Sequence, residues 1–302
     1  MRSQPVAVQQ AANGLTRTRR SRTWRRHLLQ SGTYLLILVL AVLFGGPFMW
    51  ALFTSLKTTR EIFIFPPTLF PKVFQWHNYI EIWRQIPFAL FYRNSIVVTV
   101  ATLIGQMLSA SLVAYGFSRF RFPGRDALFV VMLSTLMLPS QVTIIPQFIL
   151  FRFLGWLDSY NPLIVPAYFG GGAFAIFLFR QFFLTLPKEF DEAATIDGAS
   201  SLSIFFRILV PMSKPVFITM AIFSFLGSWN DFFYPLIYLN TLEKFTLQLG
   251  LQYYRRSAEA GGGATEHLLM ASAMMMTLPS LLLFIFLQQY FVRGVVMSGI
   301  KG

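Results

Sequence analysis

The chain has 302 residues, of which 55% are hydrophobic and only 12% are charged, a composition too apolar for an ordinary soluble domain. Its net charge of +13 could suggest nucleic acid, but the basic run Arg17–Arg26 directly precedes a long apolar segment, where Lys and Arg typically mark the cytoplasmic side of a membrane. The lack of cysteine excludes disulfides, thiolate catalysis and Cys-ligated zinc. We therefore predict a membrane protein without a nucleic-acid partner.

Six apolar segments are long enough to cross a bilayer, because about 20 helical residues span its hydrocarbon core. The first is too long for a signal-peptide core and lacks a cleavage site, so it should remain as an anchor. We predict an all-α membrane protein in which residues 28–302 form six transmembrane helices in contact with lipid, after a basic, disordered N-terminal segment, residues 1–27. The predicted spans are Leu28–Leu56, Asn94–Ser118, Ala127–Phe151, Ser159–Phe179, Pro215–Asn240 and Leu268–Val292.

The distribution of basic residues predicts the orientation of these spans. With the N-terminus inside, sixteen of the 25 Lys and Arg residues fall in the segments 1–27, 119–125, 180–214 and 293–301, all on one side. Cytoplasmic loops carry an excess of Lys and Arg. Both termini, and the polar segment 187–213, should therefore be cytoplasmic.

The connections between spans contain several helix-breaking signals. Three prolines, Pro66, Pro67 and Pro71, should end the helical structure after the first span, and the amphipathic stretch Trp76–Trp83 then predicts a short helix at the membrane surface. Glycines 170–172 in the fourth span could permit close helix packing or could loosen the helix; the pattern favours packing.

The sequence lacks the residue patterns that ATP binding and metal binding need. No Gly-Lys pair occurs, so the chain has no glycine-rich phosphate loop for ATP, and its three histidines lie far apart in the sequence, which argues against metal binding. Asp231 follows Lys214 by seventeen residues, or about 25 Å of helix, which places it near the outer interface rather than at the midplane, where a coupling ion would bind. Together with Gln141 and Asn230 it is a candidate for the solute pathway, although each of the three could equally brace helix packing.

The most regular polar segment is LPKEFDEAATIDGASSLSIFFRILVPMSKP, residues 186–215. Its carboxylates cluster in the first turns after Pro187, where they suit the helix dipole, and Gly198 stands where a helix would stop. Ser200 or Ser201 should cap a second helix that ends before Pro211. We predict two short helices that meet at a glycine corner and dock a soluble partner; the alternative is a connector lying on the membrane surface.

This segment resembles the EAA loop of bacterial ABC importer permeases, in which Glu-Ala-Ala, Gly, Ile and a closing Pro recur at fixed spacing. The stretches HNYIEIW, AYGFSRFRFPGRD, SWNDFFYPLIYL and YFVRGVVMSGIKG extend the resemblance to the carbohydrate-uptake permeases and to their MalG-like branch, while Val210 stands where Leu is common in the loop. The matching loop residues are Glu192, Ala193, Ala194, Gly198, Ile208 and Pro211.

The resemblance implies a function. In such importers the EAA loop is the coupling helix, seated in a groove of the cytoplasmic ATPase; Glu192 would face basic residues of that ATPase, Ala193 and Ala194 would permit close seating, and Gly198 would make the turn, with Asp197 flanking the seating face. The chain would be a non-catalytic subunit of the bacterial inner membrane without a cofactor of its own, because ATP binds to the partner. The implied partners are a second, homologous permease, an ABC ATPase dimer and an extracytoplasmic sugar-binding protein. Alternatives are an importer of another solute, such as glycerol phosphate or a polyamine, and an ion-coupled secondary carrier.

Overall fold

The computed structural model describes the backbone of residues 6–260 and 266–299 and the side chains of residues 30–257 and 266–288. The chain forms two compact units, Met1–Gln75 and Trp76–Gly302. Each unit is described by itself below.

The first unit contains helices α1, Val6–Ser55, and α2, Thr59–Ile62. Helix α1 runs through the basic segment, which differs from the disorder expected for residues 1–27; Ala, Gln, Arg and Leu in this stretch favour helix. Glu61, buried within α2, accepts a hydrogen bond from the amide of Lys72 at 2.8 Å. This contact holds the proline-rich connection, which is non-helical as predicted.

The second unit is built from thirteen described α-helices, with short 3-10 and π segments between some of them. In chain order they are α3 Asn78–Gln85, α4 Phe88–Arg119, α5 Arg125–Ser134, α6 Ser140–Phe153, α7 Asn161–Ile164, α8 Ala173–Thr185, α9 Glu189–Ile196, α10 Ser201–Ile204, α11 Val210–Met212, α12 Lys214–Trp229, α13 Phe233–Tyr238, α14 Leu247–Ala260 and α15 Glu266–Gly299.

Within the described residues, four helical segments are long and apolar enough to cross a membrane: Gln30–Ser55, Phe88–Arg119, Asn161–Thr185 and Glu266–Gln288. Two more pass the same test as bent pairs, α5 with α6 at 99° and Ser201–Met212 with α12 at 82°. The count is six if each bent pair is one span. The all-α membrane fold is thus confirmed.

Besides the third, which bends by 99° between α5 and α6, two predicted spans differ in detail from the structure. The fifth stops at Trp229 instead of Asn240, because Asp231 turns its Oδ1 onto the amides of Phe233 and Tyr234 and so starts α13 separately. The fourth is interrupted at glycines 170–172, which all have positive φ. Close packing also occurs there, since a Cβ on Gly171 would lie 2.8 Å from the carbonyl oxygen of Gln106. The glycines therefore both break the helix and allow α4 to pack closely against this segment.

Helix α4 is the centre of the second unit, and a buried apolar cluster lies near each of its ends. The cluster near Arg119 includes Tyr115, Phe179, Phe183, Phe205 and Leu209. The cluster near Phe88 includes Phe91, Trp229, Leu247 and Leu268. A displacement of one end of α4 is therefore felt by helices packed along its whole length.

Polar contacts of Asp158 connect two loops at the end of the unit where Phe88 lies. Asp158, held at φ 54°, accepts hydrogen bonds at Oδ1 from the amides of Asn240 and Thr241, both at 3.0 Å. Its Oδ2 lies 2.8 Å from Nζ of Lys244 and accepts the hydroxyl of Thr241. Burial alone would raise the pKa of Asp158, but the hydrogen bonds from Lys244, Thr241 and Asn240 outweigh it and hold the pKa well below its usual range. This carboxylate is fully satisfied.

Candidate functional site

The EAA loop, residues 187–213, folds as two short helical arms around a glycine corner, as the sequence predicts. The first arm is α9, and Gly198 follows it at φ 82°. Apart from its chain neighbours, no atom of the described residues lies within 4 Å of the position a Cβ would take on Gly198, so the backbone conformation is what selects glycine there. The hydroxyl of Ser200 then caps α10 by accepting the amide of Ser203.

The second arm does not end before Pro211, and that prediction is wrong. Residues Phe205–Leu209 form a π-helical turn, and α11 then continues from Val210 through Pro211 to Met212. Pro211 directly follows the π-helical turn, and such a local adjustment re-satisfies backbone groups that a proline leaves unpaired. The sharp break instead falls at buried Ser213, where the chain bends into α12.

The outward face of α9 is exposed and partly apolar. No residue of α9 is buried, and Ile196 and Phe190 are 86% and 48% exposed. Ala193 and Glu192 share this exposure, whereas Ala194 is half-buried. Asp197 and Pro211 are exposed as well, and Ile208 is half-buried. A small apolar surface edged by carboxylates is suited to contact with another protein.

The inward face of α9 is held to the end of α4 by a buried ion pair. Nε of Arg119 lies 2.8 Å from Oδ2 of Asp191, and the two side chains are 6% and 18% exposed. Nη2 of Arg119 donates to the carbonyl oxygen of Leu186, at the entry to the loop, at 3.1 Å. The hydroxyl of Tyr115, one turn earlier on α4, lies 3.3 Å from the carbonyl oxygen of Ser201. The last turns of α4 therefore contact both arms of the EAA loop.

The ion pair is incomplete in this arrangement. The Nε–H of Arg119 is not aligned for a hydrogen bond, and Arg119 Nη1 and Asp191 Oδ1 are buried without a partner among the described residues. Burial raises the pKa of Asp191, with Glu192 adding to the rise while Arg119 and Lys188 oppose it. Buried polar groups without partners cost free energy.

Two cavities in the second unit meet at Asp231. One has a volume of about 560 Å³ and the other of about 470 Å³, and Asp231, Tyr234 and Thr102 border both. Gln147 borders the larger cavity, and Gln106 borders the smaller one. Both volumes lie in the range of small-molecule sites, about 300–1,000 Å³.

The structure does not bring the three candidate pathway residues together. Asp231 borders both cavities, but neither Gln141 nor Asn230 lines either of them. Gln141 is exposed near the start of α6, and Asn230 donates to the carbonyl oxygen of Leu226 at 2.9 Å, where it ends α12. Of the three, Asp231 is therefore the one placed to meet a solute.

A match to the model of one protein family identifies the family of this chain. Residues 101–297, which include the EAA loop and the cavity-lining helices from Ala101 onward, match the model of the family described as binding-protein-dependent transport system inner membrane component. The chain belongs to this family. It is a multi-pass membrane protein and a permease component of a transport system that depends on a binding protein.

Curated relatives of this permease cover nearly its whole length. The arabinooligosaccharides transport system permease protein AraQ of Bacillus subtilis is 35% identical over 92% of this chain and 99% of its own. The sn-glycerol-3-phosphate transport system permease protein UgpE of Pectobacterium atrosepticum is 36% identical over 89% of this chain and 95% of its own.

Among solved structures, a bacterial ABC transporter involved in import of the acidic polysaccharide alginate contains a chain with the same fold. The TM-score is 0.78 at 23% identity, with 88% of this chain and 97% of the other covered. That likeness shows the permease fold.

Several residues of this permease that shape the site were not found from the sequence. Arg119 appears in the sequence as one of several basic residues in a tight turn, and Asp191 as one of three carboxylates in a first helical turn. Their pairing depends on how α9 packs on α4, which no spacing reveals. Thr102, Gln106 and Gln147 are polar residues within apolar segments, and a polar side chain inside a span is the signal that could have singled them out.

Proposed function

We propose that this permease is one of two transmembrane subunits of an ATP-driven sugar importer. The other subunits are a related permease, a cytoplasmic ABC ATPase dimer that binds and hydrolyses ATP, and an extracytoplasmic sugar-binding protein. The chain itself catalyses no reaction and holds no cofactor. Its termini and the EAA loop lie in the cytoplasm, as the distribution of Lys and Arg favours.

The observation that carries this proposal is the two-sided construction of the EAA loop. Its outward face leaves Phe190, Ala193 and Ile196 without cover. Its inward face is anchored to α4 through Asp191 and Arg119. A loop that is exposed to a partner on one face and anchored to a helix on the other can transmit a movement of that partner to the helix.

Helix α4 supplies the route from the loop to the solute cavities. Arg119 and Tyr115 at one end contact the loop, while Gln106 and Thr102, some three to five turns away, border the cavities. At 1.5 Å per residue, about 20–25 Å of rigid helix separates Arg119 from these residues. Closure of the ATPases would therefore move the cavity wall through α4.

Sugar is the proposed solute class because AraQ is a relative over nearly the full chain. Glycerol phosphate is the second candidate, because UgpE is related to a similar degree. An ion-coupled carrier would need no ATPase and no coupling loop.

The experiment uses the complete importer in proteoliposomes. Ala193→Trp should hold the ATPase away from the loop, and Glu192→Ala should remove a charge-assisted contact, so both should reduce ATPase co-purification and transport at a normal permease level. Glu243→Ala removes an exposed carboxylate near the Phe88 end of α4 and serves as the matched control. Uptake by this chain alone, driven by a proton or sodium gradient, would contradict the proposal.

A further inference from the structure

Asp231 gives the two cavities a fixed charge. Among the described residues that line them, it is the only charged one; no Lys, Arg or His borders either cavity. A low-dielectric wall strengthens the field of such a group, because little water screens it. The cavity walls therefore carry net negative charge at the point where the two volumes meet.

The carboxylate of Asp231 is held in place and keeps a free oxygen. Its Oδ1 accepts the amides of Phe233 at 3.0 Å and Tyr234 at 3.2 Å, which fixes the direction of the carboxylate. Its Oδ2 has no hydrogen-bond partner in the described part of the chain. An ionised carboxylate can only accept hydrogen bonds, so this oxygen suits a hydroxyl donor.

Buried hydroxyls in the cavity walls also lack partners. Tyr238, 1% exposed, borders the larger cavity, and its Oη makes no hydrogen bond within the described residues. Ser224 and Thr246 border the smaller cavity, and their hydroxyls are likewise buried and unpaired. These hydroxyls are closed to water in this arrangement, so a side-chain rotation has to bring them to the cavity surface before they meet a solute; each can then both donate and accept, as a ligand with hydroxyls of its own requires.

We propose that these cavities select neutral, polyhydroxylated solutes and reject anionic ones, with Asp231 as the residue that sets this selectivity. The assignment of the cavities to a transported solute rests on the proposed function. Relatives and fold neighbours named for glycerol phosphate and for alginate handle anions, so overall similarity does not decide the charge of the solute. A polyamine fits less well, because one carboxylate leaves most of its ammonium charges unpaired in an apolar wall.

The test measures weak binding directly on the purified complex of both permeases and the ATPase, without the binding protein, so that the binding protein's own selectivity does not enter. Saturation-transfer NMR compares maltotriose, sn-glycerol 3-phosphate and spermidine at equal millimolar concentration. Maltotriose should bind at least about tenfold better than the phosphate ester. Asp231→Asn should narrow that ratio, and Asp231→Lys should reverse it.

The control is Asp126→Asn, which neutralises an exposed carboxylate that borders neither cavity and should leave the ratio unchanged. Preference of the unaltered complex for the phosphate ester or for spermidine overturns the inference, as does absence of binding of all three probes. An unchanged ratio in Asp231→Asn and Asp231→Lys overturns it too. The proposed function fails separately, if the chain does not co-purify with an ATPase.

Discussion

Two aspartates of this permease are each paired with a basic side chain at 2.8 Å, yet their surroundings differ. Asp158 has both carboxylate oxygens satisfied, and its pKa is lowered. Asp191 is paired through one oxygen, its other oxygen is buried and unpaired, and its pKa is raised. The first pair fixes a single arrangement of two loops. The second is an incomplete contact, and it lies in the loop that is proposed to meet the ATPase.

The largest effect should come from removing the cation of the incomplete pair. Arg119→Ala leaves the buried Asp191 without its counter-charge and frees α9 from α4, so transport should fall about tenfold or more at an unchanged permease level. ATP hydrolysis should fall less than transport, because the ATPases can still bind the loop. Both rates are measured in proteoliposomes.

Arg121→Ala is the matched control, since Arg121 is exposed two residues further on. The double variant Arg119→Asp with Asp191→Arg should recover part of the transport. Equal loss of transport and hydrolysis in Arg119→Ala would show that the pair merely supports the fold.

The satisfied pair should matter for stability and little for coupling. Asp158→Asn keeps a residue that tolerates the left-handed backbone but loses the charge-assisted bonds from Lys244, at a cost of about 1–2 kcal/mol. The melting temperature of the purified complex should fall while the ATP hydrolysed per solute stays constant. A changed ratio would assign Asp158 a part in coupling.

A smaller effect is expected at the glycine corner. Gly198→Val places a β-branched residue at φ 82° and should destabilise the folded loop by about 1 kcal/mol or more. Gly198→Asn should leave its stability nearly unchanged, because Asn tolerates this conformation. Since no neighbouring atom would touch a new Cβ, the two variants differ through the backbone alone. Comparable transport by both would argue against a required left-handed turn.

The smallest effect is a difference in pH dependence between the two aspartates. The stabilising contribution of Asp158 is present above the unfolded pKa of about 3.9 and is lost as the pH falls below it toward the lowered folded pKa. For Asp191 the sign is opposite: its charge costs stability at neutral pH, and protonation as the pH falls through its raised folded pKa relieves that cost.

Melting temperatures of the complex across this range, compared with Asp158→Asn and Asp191→Asn, check both signs. The melting temperature of the unaltered protein should rise relative to that of Asp191→Asn as the pH falls from neutral. Its excess over the melting temperature of Asp158→Asn should disappear below about pH 4. If both differences in melting temperature changed with pH in the same direction, the contrast between the two pairs would be contradicted.

The sequence predicted the helical arms of the EAA loop, its glycine corner and its serine cap, because each depends on residues a few positions apart. It did not predict the π-helical turn before Pro211 or the break at Asp231, where side chains and packing override an apolar pattern. The pairing of Arg119 with Asp191 joins residues 72 positions apart, and such contacts leave no local signal.

The most direct test of coupling uses the lack of cysteine in the chain, which makes any introduced cysteine unique. Ala193→Cys on the exposed face of α9 is treated with a short thiol-to-lysine crosslinker in the complete importer, and Val142→Cys, which is also exposed, on α6, serves as the control. The account predicts a crosslink to the ATPase from Ala193→Cys and none from Val142→Cys. Absence of that crosslink in an intact, ATP-hydrolysing complex, for both Ala193→Cys and Ile196→Cys, would contradict it.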